Sequence, residues 1–498
     1  MTLVESILSV NKESCVPVYQ QIANGIITHI RRGTLKPESA LPGSRVLAES
    51  LCVHRKTVVA AYDELYAQSW VDVYPRKGIF VAKNLPDITP RSITSDNMVN
   101  AIPSTTFYDL SDCNVPKTRL YKVPAANNII FNDGFPDTRL APVELLMREY
   151  RRFANYRFTP KYLMYGPEYG SENLRNELSS FLSETRGLHA KPENFLITKG
   201  AQMAIYLISQ VLLSKNDIVI VADPGYPGAN EVFEHAGAKL EFAPVDEFGI
   251  NLDAVEEICK KKKVKMLYVI PHHHRPTTVT LCAERRMRLL ELAMKYRFAI
   301  IEDDYDYDFH YNSSPILPLA SADCYGSVIY VGSFCKTIAP GIRIGFVAAP
   351  QTLILRLAKL RKIIDRQGEQ LLEEAIANLL KNGDISRHLK KANKIYHERR
   401  DILCSLLREK LGDKVSFQIP SGGFAIWMEY LNGVDARVVA EKAAEMGLTI
   451  NNGGDYFYND PSQKHSFLRL GFASLNPKEL AEGVDILGRA IDKAHPKN

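Results

Sequence analysis

The stretch Tyr330-Val331-Gly332-Ser333-Phe334-Cys335-Lys336-Thr337-Ile338-Ala339-Pro340-Gly341-Ile342-Arg343-Ile344-Gly345 carries residues suited to chemistry on an aldehyde. An apolar, strand-like run ends in a small-residue loop, Lys336 follows, and Arg343 lies seven residues on. An amine that condenses with an aldehyde must be unprotonated, and a neighbouring cation favours this by lowering its pKa. Ser333 and Arg343 bring a hydroxyl and a guanidinium that reach a phosphate, the guanidinium with two parallel bonds. A lone lysine in a loop is ordinarily only solvated, and the full string argues against that reading.

Upstream, Ala299-Ile300-Ile301 runs into Glu302-Asp303-Asp304-Tyr305-Asp306-Tyr307. A carboxylate at the C-terminal end of a strand is well placed to pair with a protonated pyridine nitrogen, which makes the ring an electron sink. Tyr305 could donate to a phenolic oxygen of such a ring. The competing readings are an acidic loop or a divalent-cation site, and the second is weak because the run lacks the glycine of an EF-hand. Gly200, Ala201 and Gln202 open the apolar helix Met203–Leu213 and offer backbone N–H groups to a phosphate. In Asp223-Pro224-Gly225-Tyr226-Pro227 a ring stands in a turn after a strand, suited to stacking on a pyridine face, although such tyrosines more often just pack. Three consecutive histidines, His272 to His274, suggest a metal, but adjacent loop residues rarely converge on one ion, and no metal is expected.

The elements that must position these residues are short apolar runs alternating with amphipathic stretches. Asp217–Val221, Val264–Ile270, Phe298–Ile301 and Val328–Val331 read as strands, and Ala283–Tyr296 as a helix between them. That alternation predicts a βαβ sheet covered on both faces. A chain of 498 residues exceeds one core. The expected organisation is a domain over 1–82, a Pro/Ser/Thr/Asn-rich linker over 83–127, and a second domain over 128–498. Lys260–Lys263 reads as a solvated helix end. Net charge is +5, so nucleic-acid contact must come from local placement of cations. The eight cysteines form no CxxC pair, which argues for a reducing, cytoplasmic setting. No signal peptide is read at the polar N-terminus and no run approaches membrane-spanning length.

In the N-terminal zone, Val18, Ile22, Ile26, Ile27 and Ile30 have helical spacing. Pro42 and Gly43 break the chain, and Ser44 is expected to cap a helix burying Val46, Leu47 and Leu51. A tight turn at Cys52–Val53 leads to His54–Leu65, which opens with basic residues. Two short helices joined this way follow helix-turn-helix logic, with Arg55 and Lys56 at the end that enters the major groove. Trp70–Tyr74 and Ile79–Val81, joined by Pro75-Arg76-Lys77-Gly78, would form a basic wing. The alternative is a small helical domain with a solvated basic face.

This zone resembles the winged-helix domain of GntR-type bacterial regulators. The resemblance implies DNA contacts at Ser44, Arg45, Arg55, Lys56, Thr57 and Lys77, with Gly78 at the wing tip. His54 stands where relatives carry a capping Ser or Thr, and Val59 where some carry another cation. The remainder, from about Asn132, resembles fold-type I pyridoxal phosphate (PLP) enzymes of the aspartate aminotransferase kind. Tyr165-Gly166, Ile301–Asp306, Ala339-Pro340-Gly341 and Leu468-Arg469-Leu470-Gly471-Phe472 match most closely. It implies Lys336 as the Schiff-base lysine and Asp303, with Asp304 as fallback, against the pyridine nitrogen. Arg469 would grip a ligand carboxylate. The loop Pro271-His272-His273-His274-Arg275-Pro276-Thr277-Thr278 departs from the relatives' pattern at Arg275 and Thr278, and Cys335 replaces a common Ser.

Together the two halves resemble the MocR/GabR regulators. The expected fold is an N-terminal winged helix-turn-helix plus an α/β fold-type I PLP-dependent transferase domain. That domain has a large mixed, mostly parallel sheet and a smaller C-terminal α+β subdomain. The resemblance implies a domain-swapped homodimer binding operator DNA, with PLP or an amine or amino acid sensed through an aldimine at Lys336. The rival readings are a working aminotransferase with an accessory DNA-binding domain, and a DNA-binding protein whose large domain only dimerises.

Overall fold

The computed structural model describes residues 8–86, 104–111, 115, 128–155, 159–311, 314–458 and 465–494. The chain divides into two compact units, Met1–Leu110 and Ser111–Asn498. Most of the segment expected as a linker lies outside the described residues, as do the first seven residues and Cys113.

Among the described residues the first unit is built on three helices and a hairpin. Helix α1 (Val18–Arg31) buries Ile22, Ala23, Ile26, Ile27 and Ile30, the stripe that helical spacing dictates. Helices α2 (Ser44–Ser50) and α3 (Arg55–Ala67) pack with it around Leu47, Val58, Tyr62, Leu65 and Trp70. Strands β1 (Val71–Tyr74) and β2 (Gly78–Val81) pair antiparallel, with Val71 opposite Val81 and Tyr74 opposite Gly78. Gly78 has φ +116°, a conformation that L side chains rarely adopt, so the glycine is required there.

Three local expectations change. Gly43, not Ser44, is the N-cap of α2, and no side chain caps that helix. Ser44 is its first residue, and its hydroxyl accepts from Arg55 Nε at 3.3 Å. Val46 is exposed rather than buried, because Leu47 and Ala48 turn inward and put Val46 on the outer face. Leu51 is only half-buried at the end of the helix. His54 does cap α3: its Nδ1 accepts from Lys56 N at 3.1 Å, the function a serine or threonine hydroxyl would serve.

In the second unit, β3 (Ile129–Ile130) precedes an eight-stranded sheet. Its strands are β4 (Phe195–Thr198), β5 (Ile218–Asp223), β6 (Lys239–Asp246), β7 (Gly249–Ile250), β8 (Val264–Val269), β9 (Ala299–Asp304), β10 (Val328–Ser333) and β11 (Gly345–Ala348). Their order is β4-β11-β10-β9-β8-β5-β6-β7. The run β10-β9-β8-β5-β6 is parallel, and β11 and β7 enter antiparallel. Val219 and Val221 pack with helix Ala201–Leu212, whereas Ile220 packs with Val255 and Leu289 of other helices. Successive residues of a strand point to opposite faces, so both faces are covered, as a parallel sheet requires. A second antiparallel sheet contains β12 (Val415–Phe417), β13 (Ala425–Tyr430) and β15 (Phe467–Gly471), while β14 (Leu448–Thr449) pairs in parallel with β3.

Register sets the site. Ser333 at the end of β10 lies opposite Gly345, and Gly345 lies opposite Thr198 at the end of β4. Gly332 lies beside Asp304 at the end of β9. One row across the sheet thus gathers the Lys336 loop, the Gly200 turn and the acidic run. A Cβ at Gly345 would stand 2.8 Å from backbone atoms of Gly200 and Gly332, so only glycine lets these strand ends approach. Lys260 and Lys261 end the helix Leu252–Lys261, as the lysine run suggested. Among the described residues the cysteines are all free, and no helix is long and apolar enough to cross a membrane.

Candidate functional site

Lys336 stands on a short helix, Phe334–Thr337, that leaves β10 with Ser333 as its N-cap. The Ser333 hydroxyl accepts from Cys335 N at 3.1 Å and so fixes the turn that aims the lysine. Lys336 Nζ donates to Gly134 O at 3.1 Å and lies 3.8 Å from the centroid of the Phe135 ring. Burial, and then the charges of Arg275 and Arg469, hold this amine well below the ordinary lysine range. An unprotonated amine is a nucleophile at neutral pH.

Across the row lies an anion cradle. Gly200, with φ +85°, is the N-cap of helix Ala201–Leu212 and no side chain caps that end, so its first N–H groups face outward. Arg343 donates from Nη2 to Lys199 O at 2.8 Å. A Cβ on Gly200 would come within 2.9 Å of that guanidinium. The Gln202 side chain is engaged elsewhere: it donates to Gly228 O at 2.6 Å and accepts from Tyr226 Oη at 3.2 Å, which fixes the Tyr226 turn. The Tyr226 ring lies under the Arg275 guanidinium, 4.7 Å from its centroid.

Alternation along β9 separates the two neighbouring aspartates. Asp303 accepts from Tyr268 Oη at 2.6 Å, and its other oxygen is buried without a partner. Burial pushes its carboxyl up to about 6, and the Tyr268 hydrogen bond opposes the rise. Asp304 faces the other way. Burial acts to raise its carboxyl, but the His272 hydrogen bond and the Arg186 charge hold it below the ordinary range. Its oxygens meet Arg186 Nε at 3.8 Å, His272 Nδ1 at 3.4 Å and the Tyr330 hydroxyl. Among the described residues each aspartate keeps one buried oxygen without a hydrogen bond, but Asp304 lies against Arg186, His272 and Tyr330, whereas Asp303 is bonded only by Tyr268 Oη. Tyr305 Oη donates to His273 O at 3.0 Å and accepts from Arg469 Nη2 at 3.2 Å.

Arg469 stands on β15 opposite Trp427 and is 1% exposed. Its Nη1 donates to Pro276 O at 2.7 Å, and its Nε lies 3.2 Å from Asp133 Oδ1. Arg275 forms an ion pair with the other oxygen of Asp133. The three histidines go separate ways: His272 to Ile316 O, His273 to Asp306 and His274 to Thr277. Asp133, Tyr456 and Tyr268 had no signal in the sequence, since their partners lie far along the chain. The turn residues Asn132-Asp133-Gly134 were the single local hint.

In the first unit, Arg45, Arg55, Lys56, Lys77 and Gly78 are exposed, and Ser44 and Thr57 are half-buried. The Arg55–Ser44 bond ties the starts of α2 and α3 together. Cations at the N-terminal turn of α3 are thus exposed, beside backbone N–H groups that favour phosphate. Val59 is exposed on the same helix.

Comparison with known proteins gives a match in each unit. The description "Aminotransferase class I and II" matches residues 137–487, and "Bacterial regulatory proteins, gntR family" matches residues 18–81. The chain is 28% identical over 488 residues, 97% of its length, to the probable rhizopine catabolism regulatory protein MocR of Rhizobium meliloti, covering 96% of that protein. It is 29% identical to the HTH-type transcriptional regulator TauR of Rhodobacter capsulatus, over 95% of each chain. It is also 32% identical, over 66% of its length and 81% of the relative, to the 2-aminoadipate transaminase of Thermus thermophilus. Among solved structures, LysN, the alpha-aminoadipate aminotransferase of Thermus thermophilus complexed with N-(5'-phosphopyridoxyl)-L-leucine, superposes with a TM-score of 0.69 at 29% identity. That likeness covers 74% of this chain and 93% of the other.

Proposed function

The chain belongs to the class I and II aminotransferase family and joins that domain to a gntR-family helix-turn-helix domain, and from this premise we propose that it is a DNA-binding regulator sensing an amine or amino acid through a PLP pocket at Lys336. The family implies PLP as cofactor. The observation that carries the sensing reading is Lys336, its amine held on Gly134 O beside the Phe135 ring, in a chain that also carries a gntR-family helix-turn-helix domain.

The residues present fit the cofactor. The unpartnered, buried Asp303 Oδ1 suits a protonated ring nitrogen. The N–H groups of Ala201 and Gln202 beside Gly200, with Ser333 and Arg343, suit a phosphate. Tyr226 supplies a ring face, and the Tyr305 hydroxyl, which here donates to His273 O, would turn its proton to the phenolic oxygen. When bound, PLP supplies an aldehyde and an electron-withdrawing ring. Lys336 presents its free amine, Asp303 holds a proton at the ring nitrogen, and Arg469 orients a ligand acid group. A ligand that favours one conformation shifts the DNA-binding equilibrium by its differential affinity. A cytoplasmic homodimer, with two winged helices reading two half-sites, completes the proposal.

Footprinting the upstream intergenic DNA with and without PLP and a panel of amines tests it; protection that ignores all of them contradicts sensing. Arg55→Ala should weaken operator binding by about 1–3 kcal/mol, roughly 5- to 150-fold, and leave PLP absorbance intact. Unchanged gel-shift affinity would misplace the recognition helix. The low Lys336 pKa has its own signature. Because burial and the Arg275 and Arg469 charges lower the Lys336 pKa, the rate at which Lys336 captures PLP should rise less steeply from pH 7 to 9 than it would for an ordinary lysine. An ordinary lysine would gain about tenfold per unit over that range. In Arg275→Gln one of the cations lowering this pKa is gone, so the profile should bend toward alkaline pH; stopped-flow absorbance reads both. The second reading, an active aminotransferase, rests on the same Lys336, Asp303 and Arg469. Steady-state turnover of amino donors with a 2-oxo acid, at enzyme-like rates, would favour it.

A further inference from the structure

We infer that Arg275, Arg469 and Tyr456 form one carboxylate clamp for the ligand's acid group, and that the chain's own Asp133 is its resident occupant, which an acidic ligand must replace. The inference deepens the sensing reading and rests on it. Three donors converge on this side chain: the Arg275 guanidinium on Oδ2, and on Oδ1 both Tyr456 Oη at 2.5 Å and Arg469 Nε at 3.2 Å. Two guanidiniums gripping opposite oxygens of one carboxylate is the geometry by which a ligand acid is held. Asp133 fills it incompletely. Arg275 Nε and Arg469 Nε are both buried without a well-formed hydrogen bond, and two cations face one anion. A second carboxylate set beside Asp133 would meet like-charge repulsion, so entry means exchange rather than addition.

The same short segment covers the lysine. Gly134 O accepts from Lys336 Nζ and the Phe135 ring lies over it. Asn132 Oδ1, accepting from Gly134 N at 3.0 Å and Phe135 N at 2.8 Å, makes the turn one unit. Anything bearing both an amine for the Lys336 end and an acid for the clamp must move residues 133–135 at both ends. Space exists for this: a cleft of about 910 Å³ is lined by Asn132, Asp133, Phe135 and Pro136 among others. The ligand class that follows is an amine carrying a carboxylate or comparable oxyanion. A bare amine leaves Asp133 in place.

The test uses the full-length, PLP-loaded protein and propionate, an acid without an amine. Affinity is read from the cofactor's absorbance and by calorimetry. Asp133→Asn keeps the side chain's shape and an acceptor but removes the competing charge, and should bind propionate about tenfold tighter or more. Tyr456→Phe and Arg275→Gln each remove a clamp donor and should bind it more weakly. Hydrogen exchange of the peptide spanning 129–136 should rise when propionate binds wild type, and should already be raised in Asp133→Asn. Unchanged or weaker binding by Asp133→Asn, or an exchange pattern indifferent to propionate, overturns the inference while the sensing reading stands. A wild-type protein with no cofactor band overturns the sensing reading itself, and this inference with it.

Discussion

Lys336→Ala should abolish the visible absorption band of the lysine-bound cofactor, not merely diminish it. The remaining contacts are non-covalent: the helix N-terminus at Gly200, Arg343, and Asp303 opposite the ring nitrogen. They can hold PLP but cannot bond to its aldehyde. Held in place beside it, a lysine amine reacts at an effective concentration far above that of free amines in solution, so no other lysine of this chain replaces it. Lys199, next to Gly200 in the chain, is tied to Asp365 at 3.3 Å and offers its carbonyl, not its amine, to Arg343. Borohydride treatment of the loaded wild type should add the cofactor's mass to the peptide containing Lys336 and to no other. A persistent band in Lys336→Ala, or label on another peptide, would remove Lys336 from its place in the account. Complete loss of the band would also exclude the large domain as a mere dimerisation scaffold.

Arg186→Ala should cost about 3–5 kcal/mol of stability, a large share of the 5–15 kcal/mol typical of a folded domain. Arg186 ends the helix Glu172–Arg186 and is 5% exposed. Its Nε donates to Tyr330 Oη at 2.9 Å, its Nη2 to Asp308 at 2.9 Å, and its guanidinium carbon lies 4.6 Å from the Tyr307 ring centroid. Truncation leaves Asp304 buried at the end of β9 with its nearest strong cation gone. The sign with pH follows. Without Arg186 one of the charges that hold the Asp304 carboxyl down is gone, so its folded-state pKa rises relative to wild type. The variant then gains less stability than wild type as pH rises through the Asp304 titration, so the deficit should be larger at pH 7 than at pH 5. Urea midpoints of the variant and wild type at both pH values measure this. A loss below about 1 kcal/mol at pH 7 would show that Asp304 does not depend on Arg186.

The two predictions also show which features sequence could reveal. Strands such as Val264–Val269 and the helix Ala283–Tyr296 were legible because local apolar periodicity suffices to specify them. The places of Lys336, Asp303 and Gly200 were legible because each lies near the end of an element: in the short helix after β10, beside the last residue of β9, and at the start of helix Ala201–Leu212. The choice between Asp303 and Asp304 was not legible: period-two alternation says they face opposite sides, but not which side holds the pocket. What distinguishes them is that Arg186 and Tyr330, 144 residues apart, both meet Asp304. The Asp133 clamp was invisible for the same reason, since Arg275 lies 142 residues and Tyr456 323 residues away. In the first unit, α2 is one short helix whose orientation is set by packing on its neighbours. Its spacing alone therefore could not tell Val46 from Ala48.

Coupling between Lys336 and DNA is the central claim, and one thermodynamic cycle tests it most directly. Operator affinity is measured for the PLP-loaded protein with and without the most effective amine from the panel, and amine affinity with and without operator. The two ratios should differ from one and be equal, as reciprocal linkage demands, and both should collapse to one in Lys336→Ala. Ratios of one in the wild type, or a ratio that survives in Lys336→Ala, would contradict it.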